Sequence, residues 1–209
     1  AAIGMMFNDA LSDMFHATVI REKQKGAAQA VVDKYLDQFM NGTIPLTKTG
    51  LLEALEDAVL DFNKIETIDG DFPKVGIVGE IYVKYNDFSN NHAAQWLMDH
   101  GLEVVLPSFF EFFDGGFVSM NNAVKTNVKK PDLLWMLSLL GRRLVNSYLQ
   151  QFDAIKQGFR YHRQHVNIQE IAAKAEEILS LNHQYGEGSL IAGEIASFAR
   201  QGVHNVLCL

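Results

Sequence analysis

The chain has little cysteine, no long apolar run and no excess of basic charge. Cys208 is the one cysteine among 209 residues, which excludes an internal disulfide framework and fits a reducing compartment, so we expect a cytoplasmic protein. The longest apolar run, residues 133–140, is too short to span a bilayer, and the first residues do not predict a signal peptide. The net charge of -7 argues against nucleic-acid binding. We therefore expect neither a membrane nor a nucleic acid as partner.

The common catalytic motifs are also missing. The sequence contains no P-loop, no GxGxxG, no HExxH and no GxSxG pattern. Gly76 and Gly79 are too close together, and lie too far within a predicted strand, to form a dinucleotide fingerprint. Cys208 lies in a strand that we predict to be buried, where a thiol is unreactive. We expect no self-sufficient catalytic apparatus in this chain.

The length and composition are those of a globular protein. With 209 residues, 48% of them apolar and 21% charged, the chain can bury the core of one or two domains. It enters a helical pattern within a few residues of Ala1 and ends on the β-rich run 205–209, with no turn or polar tail after that run. We therefore expect a fragment of a longer protein, with domain boundaries in polar linkers beyond it.

Residues 73–108 carry the clearest structural pattern. The β-rich run 75–78 is followed by a polar loop, a helical stretch over 91–100 that Gly101 ends, and a second β-rich run over 103–106. A strand, a helix and a second strand in this order predict a βαβ unit with parallel strands. Adding the run 203–209 gives about three parallel strands with flanking helices.

A ligand is expected where these strands end. Open α/β sheets bind ligands just beyond the carboxyl ends of their strands. Five polar or aromatic residues follow the first predicted strand: Glu80, Tyr82, Tyr85, Asn86 and Asp87. We therefore predict a binding edge there, with Glu80, Tyr82 and Asn86 as its principal residues.

The first 72 residues predict a helical portion that precedes an α/β domain over 73–209. Apolar residues recur at helical spacing over 9–22, 27–40 and 50–65. The third of these helices is acidic on one side, which is typical of a solvated face. We expect this helical portion to support the α/β domain and not to carry chemistry.

Two later stretches have more than one interpretation. Residues 109–122 begin with four phenylalanines in five positions, which indicates either an aromatic ligand site or, with more support, a buried helix start that Asp114 and two glycines kink. The longest predicted helix, 131–158, carries an apolar stripe that requires a covering surface. Either the N-terminal helices or a second subunit could supply it, so a homo-oligomer is one of the expected assemblies.

Residues 159–165 concentrate two arginines and two histidines after that helix. An anion site for phosphate or the pyrophosphate of a CoA ester is one interpretation. His162 and His165 are also spaced for a metal ion, whereas the simplest interpretation is a solvated connector whose cations favour the end of the preceding helix.

A second glycine-rich stretch follows the helix predicted over 167–181. Gly186 and Gly188 allow a tight turn, and Ser189 can cap the helix that follows. A loop of this kind can hold an anion on free N–H groups, although Glu187 would repel one. A loop that only caps a helix and a ligand-binding loop are both consistent with the sequence.

The segments KVGIVGEIYVKYNDFSNN (74–91) and GEGSLIAGEIASFARQGVHNVLCL (186–209) together resemble a known family. The chain is similar to acyl-CoA dehydratase activase-related proteins, relatives of the 2-hydroxyglutaryl-CoA dehydratase system, and residues 15–36 match the style of that family before the first strand. The resemblance implies a three-layer Rossmann- or flavodoxin-like sheet. It also implies [4Fe–4S] clusters between such domains and an ATPase that delivers an electron.

The resemblance defines what this chain would contribute. Cys208 is a candidate cluster ligand only in a complete protein, because a cluster needs about four thiolates. We expect no cofactor in this chain alone. Its partners would be the missing domains of the same polypeptide and acyl-CoA, with Glu80, Tyr82, Asn86 and the loop 186–189 as one wall of the site. A small-ligand-binding or regulatory module without redox chemistry is the alternative, and a purely structural, dimer-forming domain is a third.

Overall fold

The structure, a computed structural model, describes residues 2–183 and 188–209. Within these residues the chain forms a parallel sheet, with helices before the first strand and between successive strands. The helices are α1 (Ala2–Val19), α2 (Ala27–Met40), α3 (Lys48–Lys64), α4 (Ile81–Tyr85), α5 (Ala93–Asp99), α6 (Phe109–Lys125), α7 (Leu133–Lys156), α8 (Ile168–Glu176) and α9 (Gly188–Arg200). The strands are β1 (Lys74–Val78), β2 (Glu103–Val105) and β3 (Asn205–Cys208). None of the described helices is long and apolar enough to cross a bilayer.

The sheet confirms the α/β prediction and the βαβ unit. Its order is β2-β1-β3, and β1 pairs in parallel with both neighbours, so that Val75 lies opposite Val104 on one side and Asn205 on the other. Parallel neighbours need a crossover connection, which α4 and α5 supply between β1 and β2.

Alternate residues of the strands pack against helices on opposite faces of the sheet. Ile77 and Val104 pack with Leu97 of α5, whereas Val78 and Val105 pack with Phe198 of α9. This alternation follows from the two-residue repeat of a strand.

Gly76 lies on the α9 face of the sheet. A Cβ atom at Gly76 would lie 2.4 Å from the ring of Phe198. The glycine therefore permits close packing between α9 and the sheet.

The helical portion has its own apolar core, and later residues join it. Phe7, Leu55 and Phe62 are fully buried in this core together with Phe152 and Phe159, which lie at and just beyond the end of α7. The residues before and after position 73 therefore share apolar surface. The boundary between residues 72 and 73 stays a prediction.

A buried ion pair joins the helical portion to the sheet. Arg21, just after α1, lies 2.6 Å from Glu103 at the start of β2, with side chains only 10% and 3% exposed. The guanidinium also lies over the rings of Phe72 and Tyr161, 4.8 and 4.7 Å from their centroids. Because these groups come from four separate segments, they fix the position of α1 against the sheet.

Helix α6 differs from its predicted form in two ways. It continues through Gly115 and Gly116 without the predicted kink, and only Phe110 of its first phenylalanines is buried. The buried positions recur every four residues, so Phe112 and Phe113 fall on the exposed side of the helix. The prediction of a buried helix start was therefore correct for one side of α6 only.

The predicted burial of Cys208 was wrong. The thiol is exposed, and both ends of β3 are exposed. The reason is the strand order, which leaves β3 at an edge of the described sheet.

Candidate functional site

Glu80 and Asn86, predicted as ligand-binding residues, make local contacts that shape the loop after β1. The Glu80 carboxylate accepts a hydrogen bond from the Val83 N–H at 2.9 Å and caps α4. Asn86 Oδ1 accepts from the N–H groups of Phe88 and Ser89. Such capping satisfies backbone donors at helix starts and turns. These contacts explain both residues without a ligand.

The remaining predicted residues are dispersed. Tyr82 is 63% exposed, Gly188 begins α9 on the surface, and Ser189 is buried beside it. Gly186 and Glu187 lie outside the described residues. Their predicted role in ligand binding stays a prediction.

Tyr85 leads from the predicted edge to a cavity. Its hydroxyl donates to the carbonyl of Pro107 at 2.5 Å, and both residues line a cavity of about 130 Å³ at the carboxyl end of β2. The cavity, which we call the central pocket, opens to solvent and is lined by α1, α6, α9, the end of α7 and the segment that follows α7. The central pocket thus lies beyond the carboxyl end of β2, and of the residues predicted after β1 it includes Tyr85 but not Glu80, Tyr82 or Asn86. The predicted ligand site after β1 stays a prediction.

One side of the central pocket is basic. The carboxylate of Asp13 in α1 lies 2.5 Å from Lys156 Nζ at the end of α7 and forms a hydrogen-bonded ion pair with Arg163 Nη2. Burial alone raises the pKa of Asp13, but the two cations outweigh burial and hold the pKa well below its usual value. Two cations thus share one carboxylate.

Arg163 keeps unused donors at this pocket. Its Nε and Nη1 atoms are buried and have no hydrogen-bond partner among residues 2–183 and 188–209. Arg163 lines the pocket, and its side chain is 13% exposed. A buried donor without a partner requires a physical explanation, such as a bound water or ion.

The histidines around the pocket are neutral at physiological pH. Burial lowers the pKa of His16 to about 4 against the opposing charge of Asp13, and burial also lowers the pKa of His165. His16 Nδ1 lies 3.4 Å from Ser12 Oγ, and the backbone N–H of His165 donates to Asp153.

The basic segment 159–165 separates into different roles. Arg160 donates to the carbonyls of Phe62 and Ile65 at the end of α3, which is a structural role, whereas Arg163 lines the pocket. Within the described parts of the chain, no three histidine, cysteine, aspartate or glutamate residues are grouped so that they could hold a metal ion. The predicted anion site thus keeps one of its two arginines at a cavity.

The opposite side of the pocket is acidic. Asp9 of α1 accepts hydrogen bonds from Ser108 Oγ and from the backbone N–H groups of Phe109 and Phe110, so it caps α6 from a different helix. Burial nevertheless raises the pKa of Asp9.

Glu111 and Glu194 complete the acidic side. Burial, followed by the nearby charge of Glu194, raises the pKa of Glu111 to about 8, against the opposing charge of Lys84. Lys84 is buried, and its Nζ lies 3.6 Å from Glu194. Glu111 therefore carries a proton at neutral pH and can donate a hydrogen bond.

The chemistry of the pocket follows from these two sides and its apolar walls. Met6, Phe152 and Phe198 supply apolar surface, Arg163 supplies charged donors, and protonated Glu111 supplies a neutral one. Small-molecule sites combine apolar walls with a few placed polar groups in this way. The arrangement suits an anionic group at the basic side and a neutral oxygen at the acidic side.

Sequence reasoning missed most of these residues. Asp9, Asp13 and His16 follow one another at intervals of four and three residues on α1, a helix whose other residues are mostly apolar. That polar row on an otherwise buried helix was the available signal. Comparison with protein-family models, with curated proteins and with solved structures gives no match, so the pocket is interpreted from its own residues.

Proposed function

We propose that this chain binds a small carboxylic acid in the central pocket. The main observation in favour is the buried guanidinium of Arg163, which lies beside Lys156. Two of its nitrogen atoms have no hydrogen-bond partner among the described residues. A planar guanidinium matches a carboxylate through parallel N–H donors. Lys156 and Arg163 are balanced at this side by the carboxylates of Asp13 and Asp153, so the unpaired donors of Arg163, and not a net positive charge, would bind an added anion.

The cavity limits the size of the ligand. Its volume of about 130 Å³ is close to the roughly 150 Å³ of an engineered cavity that holds benzene. A ligand of roughly five or six heavy atoms fits this volume. Protonated Glu111 favours a ligand with a hydroxyl or carbonyl oxygen besides its carboxylate, so we propose 2-hydroxy and 2-oxo acids as the ligand class.

A thermal-unfolding screen tests this proposal. Glycolate, lactate and pyruvate are compared with phosphate and with chloride at equal ionic strength. A ligand at 100 times its Kd stabilises the fold by about 2.7 kcal/mol. For a domain of this length that corresponds to roughly 5–10 °C in Tm.

Variants assign the effect to the pocket. We expect Arg163→Gln to abolish the shift, whereas Arg200→Gln keeps it, since Arg200 pairs with Glu170 on the surface. Calorimetric titration should show affinity falling as pH rises through about 8 in the wild type and less steeply in Glu111→Gln. Absence of a shift with every acid, or an unchanged shift in Arg163→Gln, would refute the proposal.

The family resemblance supports a second proposal, in which this chain is a non-catalytic part of an acyl-CoA dehydratase-related iron–sulfur protein. The exposed thiol of Cys208 on an edge strand is accessible to a cluster that other domains complete. One thiol does not fit a [4Fe–4S] cluster, which needs about four ligands, so the chain alone cannot hold one. A three-layer Rossmann- or flavodoxin-like domain and a cytoplasmic location belong to the same proposal.

Iron analysis tests the iron–sulfur proposal and leaves the proposed carboxylic-acid site unaffected. The chain is expressed anaerobically together with its flanking cysteine-bearing domains, and iron and acid-labile sulfide are measured with and without Cys208→Ser. Colourless protein without iron would remove the second proposal and leave the first intact.

A further inference from the structure

The first half of α7 exposes a continuous apolar surface. Its exposed side chains, which we call the leucine stripe, are Leu133, Leu134, Met136, Leu137, Leu139, Leu140 and Leu144, between 40% and 69% exposed. The opposite side of the same half-helix packs on the protein through Trp135, Ser138 and the buried Arg142. Exposed apolar patches of this kind mark interaction surfaces.

The spacing of the stripe specifies a helix as its cover. Leu133, Leu137, Leu140 and Leu144 follow one another at intervals of four, three and four residues. This is the heptad spacing by which one helix packs lengthwise on another. Gly141 lies beside this row, and apart from its two chain neighbours and the nearby backbone of α7, no described atom lies within 4 Å of the position that its Cβ would take. A second helix can therefore approach closely there.

The row formed by these four leucines can pack against the same row of a second copy when the two helices are antiparallel. In an antiparallel pair, Leu133 of one copy packs against Leu144 of the second copy, and Leu137 packs against Leu140. The Arg143 side chain, which has no hydrogen bond or ion pair with any described residue, then lies within one turn of the second copy's Asp132. Asp132 already pairs with Lys129 at 2.8 Å, and it is exposed enough to accept a second cation.

The exposed apolar area of the leucine stripe is consistent with a contact between two copies. The exposed parts of the stripe amount to about four whole side chains, on the order of 400 Å² of apolar surface in each copy. A standard interface buries about 800 Å² per copy, of which roughly 500 Å² is apolar in homodimers. The stripe thus supplies most of the apolar share of such an interface.

We infer that two copies of this chain associate through the leucine stripe, with their α7 helices antiparallel about an axis between Ser138 and Leu139. The acidic surface of the chain does not oppose this contact, because the stripe itself carries no acidic side chain between Asp132 and Asp153. The inference is independent of the ligand in the central pocket, which lies at the other end of α7.

Sedimentation equilibrium of the 209-residue chain tests the association. We expect a concentration-dependent two-chain mass for the wild type and a one-chain mass for Leu137→Glu/Leu140→Glu. Leu46→Glu is the matched control, because Leu46 is 70% exposed outside the stripe and should leave the association unchanged. A one-chain mass for the wild type at every concentration, or a two-chain mass for the double variant, would overturn the inference.

Disulfide trapping tests the direction of the helices in a Cys208→Ser background. In the antiparallel pair, the two copies of residue 140 are about 4.5 Å apart along the axis, whereas the two copies of residue 133 are about 16 Å apart. Facing Cα atoms of two helices whose axes are about 9 Å apart lie about 4–5 Å apart across the interface, so the two Cα atoms of residue 140 are about 6 Å apart in total. Because a disulfide cannot join Cα atoms more than about 7 Å apart, Leu140→Cys should cross-link and Leu133→Cys should not. Equal cross-linking of both variants would indicate parallel helices and contradict the inference. Circular dichroism of each variant confirms that the chain is folded.

Discussion

Replacing Asp13 by asparagine would remove the carboxylate that Lys156 and Arg163 share beside the central pocket. Both cations are largely buried, with side chains 14% and 13% exposed, so the substitution leaves two charges in a poorly hydrated place. Breaking a buried ion pair from one side costs about 3–5 kcal/mol. At 2–4 °C per kcal/mol for a chain of this length, we expect Tm to fall by roughly 6–20 °C.

The assay is urea unfolding at pH 7, with ΔG taken from the linear region. Asp33→Asn is the control, because Asp33 is exposed on α2 and accepts a hydrogen bond from Gln29 alone among the contacts described. That control should change ΔG by no more than about 0.5 kcal/mol. Asp13→Asn/Lys156→Met should regain part of the loss, since it removes one of the two unpaired cations.

The dependence on pH gives an independent check of the same group. The pKa of Asp13 in the folded state lies below its unfolded value, so its contribution to stability is present above about pH 4 and disappears as the pH falls. The difference between wild type and Asp13→Asn should therefore shrink in acid. Added acetate should stabilise Asp13→Asn more than wild type, because the anion replaces the missing carboxylate. A loss below about 1 kcal/mol at pH 7 would refute the assignment of Asp13 as the shared counter-ion.

Two further predictions concern buried groups outside that cluster. Glu103→Leu should lower the free energy of unfolding by about 3–5 kcal/mol, because it leaves Arg21 buried without its carboxylate. The control Glu66→Gln removes an exposed pair with Lys23 and should cost less than about 0.5 kcal/mol. Equal losses for the two variants in urea unfolding would contradict the prediction. The pKa of His16 is lowered from 6.5 to about 4 by burial, so the unfolded chain binds more protons between these values and stability should fall by up to about 3 kcal/mol as the pH drops from 6.5 to 4. His16→Gln should reduce that slope, and an unchanged slope in thermal unfolding across this pH range would show that His16 is not buried as a neutral side chain.

The proposed ligand site in the central pocket and the proposed contact through the leucine stripe concern different surfaces, so both can be correct. The pocket lies where the end of α7 meets α1 and the carboxyl end of β2, whereas the leucine stripe occupies the first half of α7. None of the leucine-stripe residues lines the central pocket, so the proposed contact would not cover the pocket lining. Loss of ligand binding in Leu137→Glu/Leu140→Glu would therefore indicate that the two sites are coupled.

The sequence by itself determined the local elements of this protein. The predicted helix 27–40 matches α2 at both ends, the third helix matches α3 to within two residues, and the unit over 73–108 is a parallel βαβ unit. These features are readable because periodicity, caps and glycine stops act over a few neighbouring residues. The exposed stripe of α7 was also visible as a pattern that requires a cover.

The tertiary structure decided which residues share a site. Asp13 and Arg163 are 150 residues apart in the chain, and Arg21 and Glu103 are 82 apart, so no local pattern pairs them. Strand order exposed Cys208 against the prediction, because the burial of a strand depends on its neighbours in the sheet and not on its own residues. Composition and spacing are local quantities, whereas a pocket, a perturbed pKa and an edge strand arise only when distant segments meet.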